Sequence, residues 1–383
     1  MVNMEKKTEI KAINKTGDGL ASHIKNEETR KPKVLKPLLI LTTDLTNPWN
    51  NLALEEYLMG LCESDLTEAG DRPYGAVLFL WQNRHTVVIG RNQNAWAECK
   101  TGLLEDEDGF LARRGTGGGA VYHDLGNLNF SIILPRSKFD LGESFQVILD
   151  AVRALGLDAV RSGRNDILLD GRKFSGNAFR YMKGVALHHG TLMVDTDIEP
   201  MMRYLTVSDS KLKSRAIKSV KSRVINLREA KDDLTIAELM DAVGNSFAEQ
   251  YGKGRAIVRK TVAEFPRDEK LADLEALYTS WQWRYGRAID FDAQVETKRF
   301  PWGQADIRFK VAQGIIADTT IYSDALDSDF IDCIAQSLIG VPFTSREMAK
   351  RVESLGNAEE TVGDIPQTVI AHDIAQTLLD EAF

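Results

Sequence analysis

Three consecutive glycines, Gly117–Gly119, constrain this chain more than any other feature. They follow Arg113-Arg114-Gly115-Thr116 and precede Ala120-Val121-Tyr122-His123-Asp124. Such a run gives a helix or a strand nothing to pack and carries a high entropic cost of ordering, so it belongs in a loop. Bare glycine backbone lets a ligand approach closely, and successive N–H groups can form an anion-binding nest. Arg113 and Arg114 supply charge for a phosphate or carboxylate. A plain glycine-rich turn between strands fits the same residues. Gly115-x-Gly117-x-x-Ala120 formally matches the dinucleotide fingerprint, but that fingerprint must open a helix. Here Val121, Tyr122, Gly126 and an alternating strand follow instead. The Walker pattern GxxxxGK[ST] is absent.

The segments around the loop read mostly as strands. Ala76–Trp81 and Thr86–Ile89 are short apolar runs parted by the turn-like Gln82-Asn83-Arg84, and Asn127–Leu134 alternates with Asn127, Asn129 and Ser131 on one side. The first two runs read as a hairpin, and two more hairpins are expected, one turning at Asp170-Gly171 and the other between Ala186–His189 and Thr191–Val194. Helices are expected after Asn47-Pro48, with Leu54, Tyr57, Leu58 and Leu61 on one face, and over Phe145–Leu155, ended by Gly156. This mixture predicts an α+β fold, with antiparallel or mixed sheets and flanking helices in a large domain. The mixed charges of 256–275 suggest a boundary, giving a large domain over 37–258 and a small C-terminal α/β domain over 259–383. In the latter Ile307, Phe309 and Val311 lead into a turn at Gln313-Gly314, and helices are expected near 326–339, 344–354 and 366–382. Residues 1–36 lack an apolar pattern and read as a disordered extension.

A length of 383 residues is enough for two or three domains at roughly 100–200 residues each. Lys plus Arg is 48 against 56 Asp plus Glu, a net charge of −8, which argues against general nucleic-acid binding. Cys62, Cys99 and Cys333 are scattered without CxxC spacing, which predicts neither a disulfide framework nor a zinc site. No apolar run reaches the ~18 residues of a membrane span. A cytoplasmic protein that binds neither membrane nor nucleic acid is the expectation.

Three further segments could carry chemistry. Ser162–Ile167 leads through the hairpin to Arg172-Lys173-Phe174-Ser175-Gly176-Asn177, where Lys173 could bridge two anionic groups or merely be solvated. His188-His189 on one strand must point to opposite faces, so the pair cannot readily hold one metal, and no HExxH spacing occurs. Residues 211–223 contain six basic residues and no acidic one, either a solvated face or a loop that grips an anion or docks a partner.

Taken in order, Arg113–Asp124, Gly163–Asp166, Arg172–Gly176, His188–Leu192 and Ser219–Asn226 resemble the bacterial lipoate–protein ligase A pattern. Asn47–Glu56 and Leu78–Gly90 extend the resemblance upstream, and Trp281–Gly286 and Phe300–Gly303 extend it into the second domain, over about 38–350 in all. Gly115-Thr116 departs from it, standing where the family commonly has serine-like residues.

The resemblance implies an enzyme that activates lipoate with ATP, with Mg²⁺ on the phosphates, and passes the acyl group to a lysine of a partner. The implied partners are lipoyl domains of E2 subunits of 2-oxoacid dehydrogenases and the glycine-cleavage H protein, with lipoate or octanoate as the small-molecule substrate. It implies Lys173 as the catalytic cation. It assigns Arg114, Gly119, Ala120, Val121, Tyr122, Asn165 and Asp166 to the nucleotide side, with Asp166 also the candidate metal ligand. Trp81, Gly117, Gly118, Arg180, His189 and Thr191, together with Lys173, are implied at the acyl slot. Lys218, Lys221 and Arg223 are implied in a loop that folds over the adenylate and docks the partner. The second domain is expected to move during the cycle. An octanoyl or lipoyl transferase of the same superfamily and a non-catalytic lipoyl-domain binder are the rival readings.

Overall fold

The computed structural model describes residues 35–62, 73–205, 223–286 and 291–381. The expected extension therefore lies almost wholly outside the described residues, as do Lys218 and Lys221. The strands of the larger part are β1 (Leu38–Thr42), β2 (Ala76–Trp81), β3 (Thr86–Ile89), β4 (Phe110–Arg113), β5 (Val121–His123) and β6 (Asn127–Pro135). There follow β7 (Val160–Ser162), β8 (Asp166–Leu169), β9 (Arg172–Tyr181), β10 (Val185–Met193) and β11 (Ile257–Thr261). Eight of these form one sheet in the order β11-β1-β2-β6-β10-β9-β8-β7, while β3, β4 and β5 form a second. β1 runs parallel to both β11 and β2, and the remaining pairs of the large sheet are antiparallel.

β1 and β2 are apolar on both faces because both faces are covered. Leu38, Ile40, Leu78 and Phe130 pack with Phe145 and Ile148 of helix α2 (Leu141–Ala154) and with Leu239 and Phe247 of α3 (Ile236–Tyr251). Leu39, Leu41, Val77 and Phe79 pack with Leu52 and Leu58 of α1 (Pro48–Cys62), and α4 (Glu269–Thr279) adds Leu271 and Tyr278 to that side. The side chain of Asp140 accepts from the Glu143 N–H to start α2, one residue before the helix begins.

Three expectations change. The two runs β2 and β3 do not pair; they part into different sheets, because β2 is taken by β1 and β6 and β3 by β4 and β5. The hairpin expected at Gly190 is instead the middle of one long strand, β10. Gly190 is there because a Cβ would sit 2.6 Å from Asn177 Oδ1 and 2.8 Å from Phe130 Cε1, a matter of close approach rather than of turning. The boundary placed between 258 and 259 falls inside β11, an edge strand of the large sheet, and α4 beyond it packs on α1.

The small C-terminal part has β12 (Ala293–Glu296), β13 (Ala305–Ala312) and β14 (Ile315–Ser323) in an antiparallel sheet. It is backed by α5 (Ser328–Leu338), α6 (Ser345–Glu353) and α7 (Gln367–Asp380). Its alternation of Ile307 and Phe309 points into a core with Trp302, Ile331 and Ile374. Among the described residues no helix is long and apolar enough to cross a membrane.

Candidate active site

A cleft of about 170 Å³ opens on the α1 face of the large sheet. Its walls bring together Trp81, Arg114, Gly118–Val121, Asn165, Lys173, His189 and Thr191, which the sequence places far apart. Leu52, Val88, His123, Asn129 and Asn177 also line it.

Lys173 reaches the cleft from β9. A register shift opposite Ile167 and Leu168 inserts Phe174 as an extra residue, turning the fully buried Phe174 into the core while Lys173 faces out. The Lys173 ammonium lies 2.6 Å from Asp166 Oδ1 on the neighbouring strand. Gly176 leaves room for it: a Cβ there would stand 3.1 Å from Nζ and 3.2 Å from Cε. The Lys173 N–H donates to the Arg223 carbonyl at 2.7 Å and its carbonyl accepts from Ile225 at 2.9 Å, so the chain leaving the basic segment is laced to this strand.

The glycine loop is held from two sides. Gly118 adopts φ of +91°, and its N–H donates to the Ala325 carbonyl of the C-terminal part at 3.0 Å. A Cβ on Gly117 would come within 2.0 Å of that carbonyl, so only glycine permits the contact. Arg114 is buried, and its guanidinium donates to the carbonyls of Gly117 (2.6 Å) and Gly119 (2.9 Å) and to Thr116 Oγ1 (3.0 Å). Burial pulls its pKa down to about 10, opposed by Glu55, which still leaves it charged at neutral pH. Arg113 is likewise spent on the carbonyls of Gly90, Arg91, Gln93, Trp283 and Arg284. Both arginines therefore shape the loop with their guanidinium groups turned to backbone carbonyls, and only Arg114 reaches the cleft wall.

Behind the cleft runs a directional chain of hydrogen bonds. The Trp81 indole donates to Ser131 (3.0 Å), and Ser131 donates to Glu55 Oε1 (2.5 Å). The same oxygen accepts from His189 Nδ1 (2.8 Å), whose Nε2 then accepts from Thr116 (2.8 Å). Buried Glu55 on α1 thus ties the tryptophan wall to the glycine loop. Sequence reasoning missed Glu55, Ser131, His123 and Asn129. The signal available was polar residues at core-facing positions, Glu55 on the buried helix face and Asn129 and Ser131 on the alternating strand.

Several expected site residues stand elsewhere. Gly117 faces the C-terminal part. The Tyr122 side chain turns away to His85, at 3.2 Å. Arg180 pairs with Glu56 at 2.7 Å and approaches Asp329, outside the cleft wall. Asp166 meets the cleft through Lys173. The Arg223 side chain is exposed, and Lys218 and Lys221 lie outside the described residues. His188 faces the opposite way from His189, among Phe130, Phe145 and Phe179.

Residues 47–248 match the family model of the lipoyl protein ligase A/B catalytic domain, and 289–374 that of the bacterial lipoate protein ligase C-terminus. A lipoate-protein ligase A of Psychrobacter cryohalolentis is 38% identical over 326 residues, covering 84% of this chain and 93% of the relative. Plasmodium falciparum LipL1, solved in complex with lipoate, superposes with a TM-score of 0.75 at 27% identity, covering 90% of this chain and 99% of that one. The bipartite lipoate protein ligase of Thermoplasma acidophilum, studied with its E2 lipoyl domain, gives 0.56 at 27% identity over 68% of this chain and all of its own. A lipoate-protein ligase A bound with ATP gives 0.53 at 27% identity over 66% and 99%. With both family models matched in order and most of its length aligned to a curated relative, the chain belongs to the lipoate–protein ligase family of enzymes.

Proposed function

We propose that this chain joins lipoate to ATP, forming lipoyl-AMP and releasing pyrophosphate, and then transfers the lipoyl group to a lysine of a lipoyl domain. The observation that carries the reading is the Lys173 ammonium in the wall of a cleft whose other wall is the bare backbone of Gly118 and Gly119. A carboxylate and a triphosphate repel each other in water. A fixed cation between them offsets that repulsion and aligns the carboxylate oxygen with the α-phosphorus. The carboxylate–phosphorus bond forms as the bond to pyrophosphate breaks. In the second step the acceptor amine attacks the acyl carbon, the ammonium of Lys173 stabilises the oxyanion, and AMP leaves. Asp166 holds Lys173 in place, and Asn165, which donates to the Asn177 carbonyl at 3.0 Å, stiffens the strand pair beside it. Trp81 gives the acyl tail an apolar wall.

Among the described residues no group of three or more His, Cys, Asp or Glu side chains could hold a metal ion. A magnesium ion would arrive with the nucleotide and its charge would offset that of the triphosphate, with Asp166 as the candidate carboxylate beside it. The acceptors we propose are the lipoyl domains of E2 subunits and the glycine-cleavage H protein, with the basic segment 211–223 meeting an acidic face of the partner. Support comes from the Thermoplasma relative studied with an E2 lipoyl domain.

A transferase working through a cysteine thioester is disfavoured. None of the three cysteines lines the cleft, Cys62 and Cys99 are buried, and burial pushes the Cys99 thiol up to about 12. The test is a mass spectrum of a lipoyl domain incubated with the protein, ATP and lipoate. A lipoyl adduct that requires ATP supports the reading, whereas modification only from an acyl-carrier thioester contradicts it.

A further inference from the structure

The cleft wall carries two buried donors with no partner among the described residues, and the sheet register fixes how far one of them lies from Lys173. Trp81 stands opposite Asn129 and Asn129 opposite Thr191. Gly190 pairs with Asn177, which brings Thr191 into line with Gly176, and the Gly176 N–H donates to Thr191 Oγ1 at 3.1 Å. Directly opposed residues of antiparallel strands share a face. Trp81, Asn129, Thr191 and Gly176 therefore form one row across four strands, with the Lys173 ammonium lying over Gly176. At about 4.8 Å per strand, Asn129 is roughly 10 Å from the Lys173 end. An extended eight-carbon acid is about 9 Å long from carboxyl carbon to terminus. A carboxylate at Lys173 thus sends its last carbons to Asn129 and Trp81.

Asn129 is 2% exposed; its Oδ1 accepts from Asn127 Nδ2 at 3.0 Å, and its Nδ2 has no partner among the described residues. His123, at 4% exposure, comes from β5 with its ring 6.3 Å from that of Trp81. Its Nδ1 accepts from Asn83 Nδ2 at 3.1 Å, and Asn83 is oriented by Asn51, which donates to its Oδ1 at 3.1 Å. The ring proton therefore sits on Nε2, which also has no partner among the described residues. Burial beside Arg114 and His189 pulls the His123 pKa down to about 3, so the ring is a neutral donor. Both side chains line the cleft. A buried donor left unpaired bears its full desolvation cost, and a ligand that accepts from it recovers that cost.

We propose that Asn129 and His123 determine specificity for the acyl tail, their free N–H groups selecting an acyl group that brings a hydrogen-bond acceptor to the far end of the slot. The dithiolane sulfurs of lipoate are weak acceptors of this kind, and the methyl end of octanoate is none. This rests on the reading of the cleft as a lipoate-activating site.

The experiment measures kcat/KM for ATP-dependent pyrophosphate release with lipoate, octanoate and 7-oxooctanoate, whose ketone is a stronger acceptor. In the wild-type protein lipoate should exceed octanoate at least tenfold, and the ketone should be used at least as well as octanoate. Asn129→Leu should cut the lipoate-to-octanoate ratio about tenfold, chiefly through KM for lipoate, and turn the ketone into a substrate at least tenfold poorer than octanoate. A wild-type protein that rejects the ketone tenfold relative to octanoate overturns the proposal, as does a folded variant that keeps the wild-type ratio. Should the variant not fold, the wild-type series decides alone. Absence of pyrophosphate release from wild type with all three acids defeats the reading of the site itself, a different outcome from an active enzyme that does not discriminate.

Discussion

At the scale of single residues, the site depends on what stands next to Lys173 as much as on Lys173. Its ion pair with Asp166 is more than a third exposed on both sides, and such pairs contribute little to folding. Its weight is in aim. Gly176 is the neighbour that most limits that aim, because an added methyl would stand 3.1 Å from the ammonium nitrogen and force it aside. Gly176→Ala should lower kcat for adenylate formation roughly tenfold while the urea midpoint stays within experimental error, since a small misplacement of a catalytic group costs rate steeply. Steady-state pyrophosphate release and urea unfolding check the two halves, and an unchanged kcat contradicts the placement. Arg114 shows the converse. From the sequence it reads as a phosphate ligand, yet its guanidinium is taken up by the carbonyls of the loop it follows. Arginine beside glycine signals anion binding and loop stapling equally, and the hydrogen bonds of Arg114 show the stapling.

At the scale of elements, β10 carries two histidines to two different environments. His189 joins the polar chain to Glu55 and Thr116, and His188 sits in an aromatic pocket between Ser144 (2.7 Å) and Asn177 (2.9 Å). Burial drives the His188 pKa well below its ordinary 6.5, and burial drives that of His123 down to about 3. The unfolded chain therefore takes up these protons first. Stability is full above about pH 6.5 and declines as pH falls below it, by up to about 1.4 kcal/mol per pH unit for each histidine. The urea midpoint should fall clearly between pH 7.5 and pH 5.0; a flat profile contradicts neutral burial of this pair.

The elements also show what the sequence could express. The opposition of His188 and His189 follows from strand geometry alone, and so does the alternation of β6. Gly190 misled because a glycine between two apolar runs looks the same whether it turns the chain or admits a neighbouring side chain. The boundary near 258 misled for a related reason. β11 is an edge strand with no buried residue, and Arg259 and Lys260 interrupt its apolar run, so it lacks the apolar signature of β1 or β2.

At the scale of the whole molecule, the two parts meet at the glycine loop. The Ala325 carbonyl accepts from Gly118, Arg91 pairs with Asp329 at 2.8 Å and with Asp332 at 3.0 Å, and Arg164 donates to the Pro301 carbonyl at 3.0 Å. We propose that the expected movement of the second domain releases this loop, since the Gly118 N–H cannot serve a ligand and Ala325 at once. No local pattern could have announced that contact, because it joins residues some two hundred positions apart. The segments that build the cleft were legible as motifs, whereas the polar chain through Glu55 and Ser131 was not, being assembled from a helix and three strands by packing. The central claim is that the Lys173 ammonium brings a carboxylate and a nucleotide phosphate together in that cleft. Pyrophosphate release from ATP and lipoate, without any lipoyl domain, tests it most directly. Lys173→Ala should lose at least a hundredfold in rate with an unchanged urea midpoint, and a folded variant that keeps wild-type release would contradict the account.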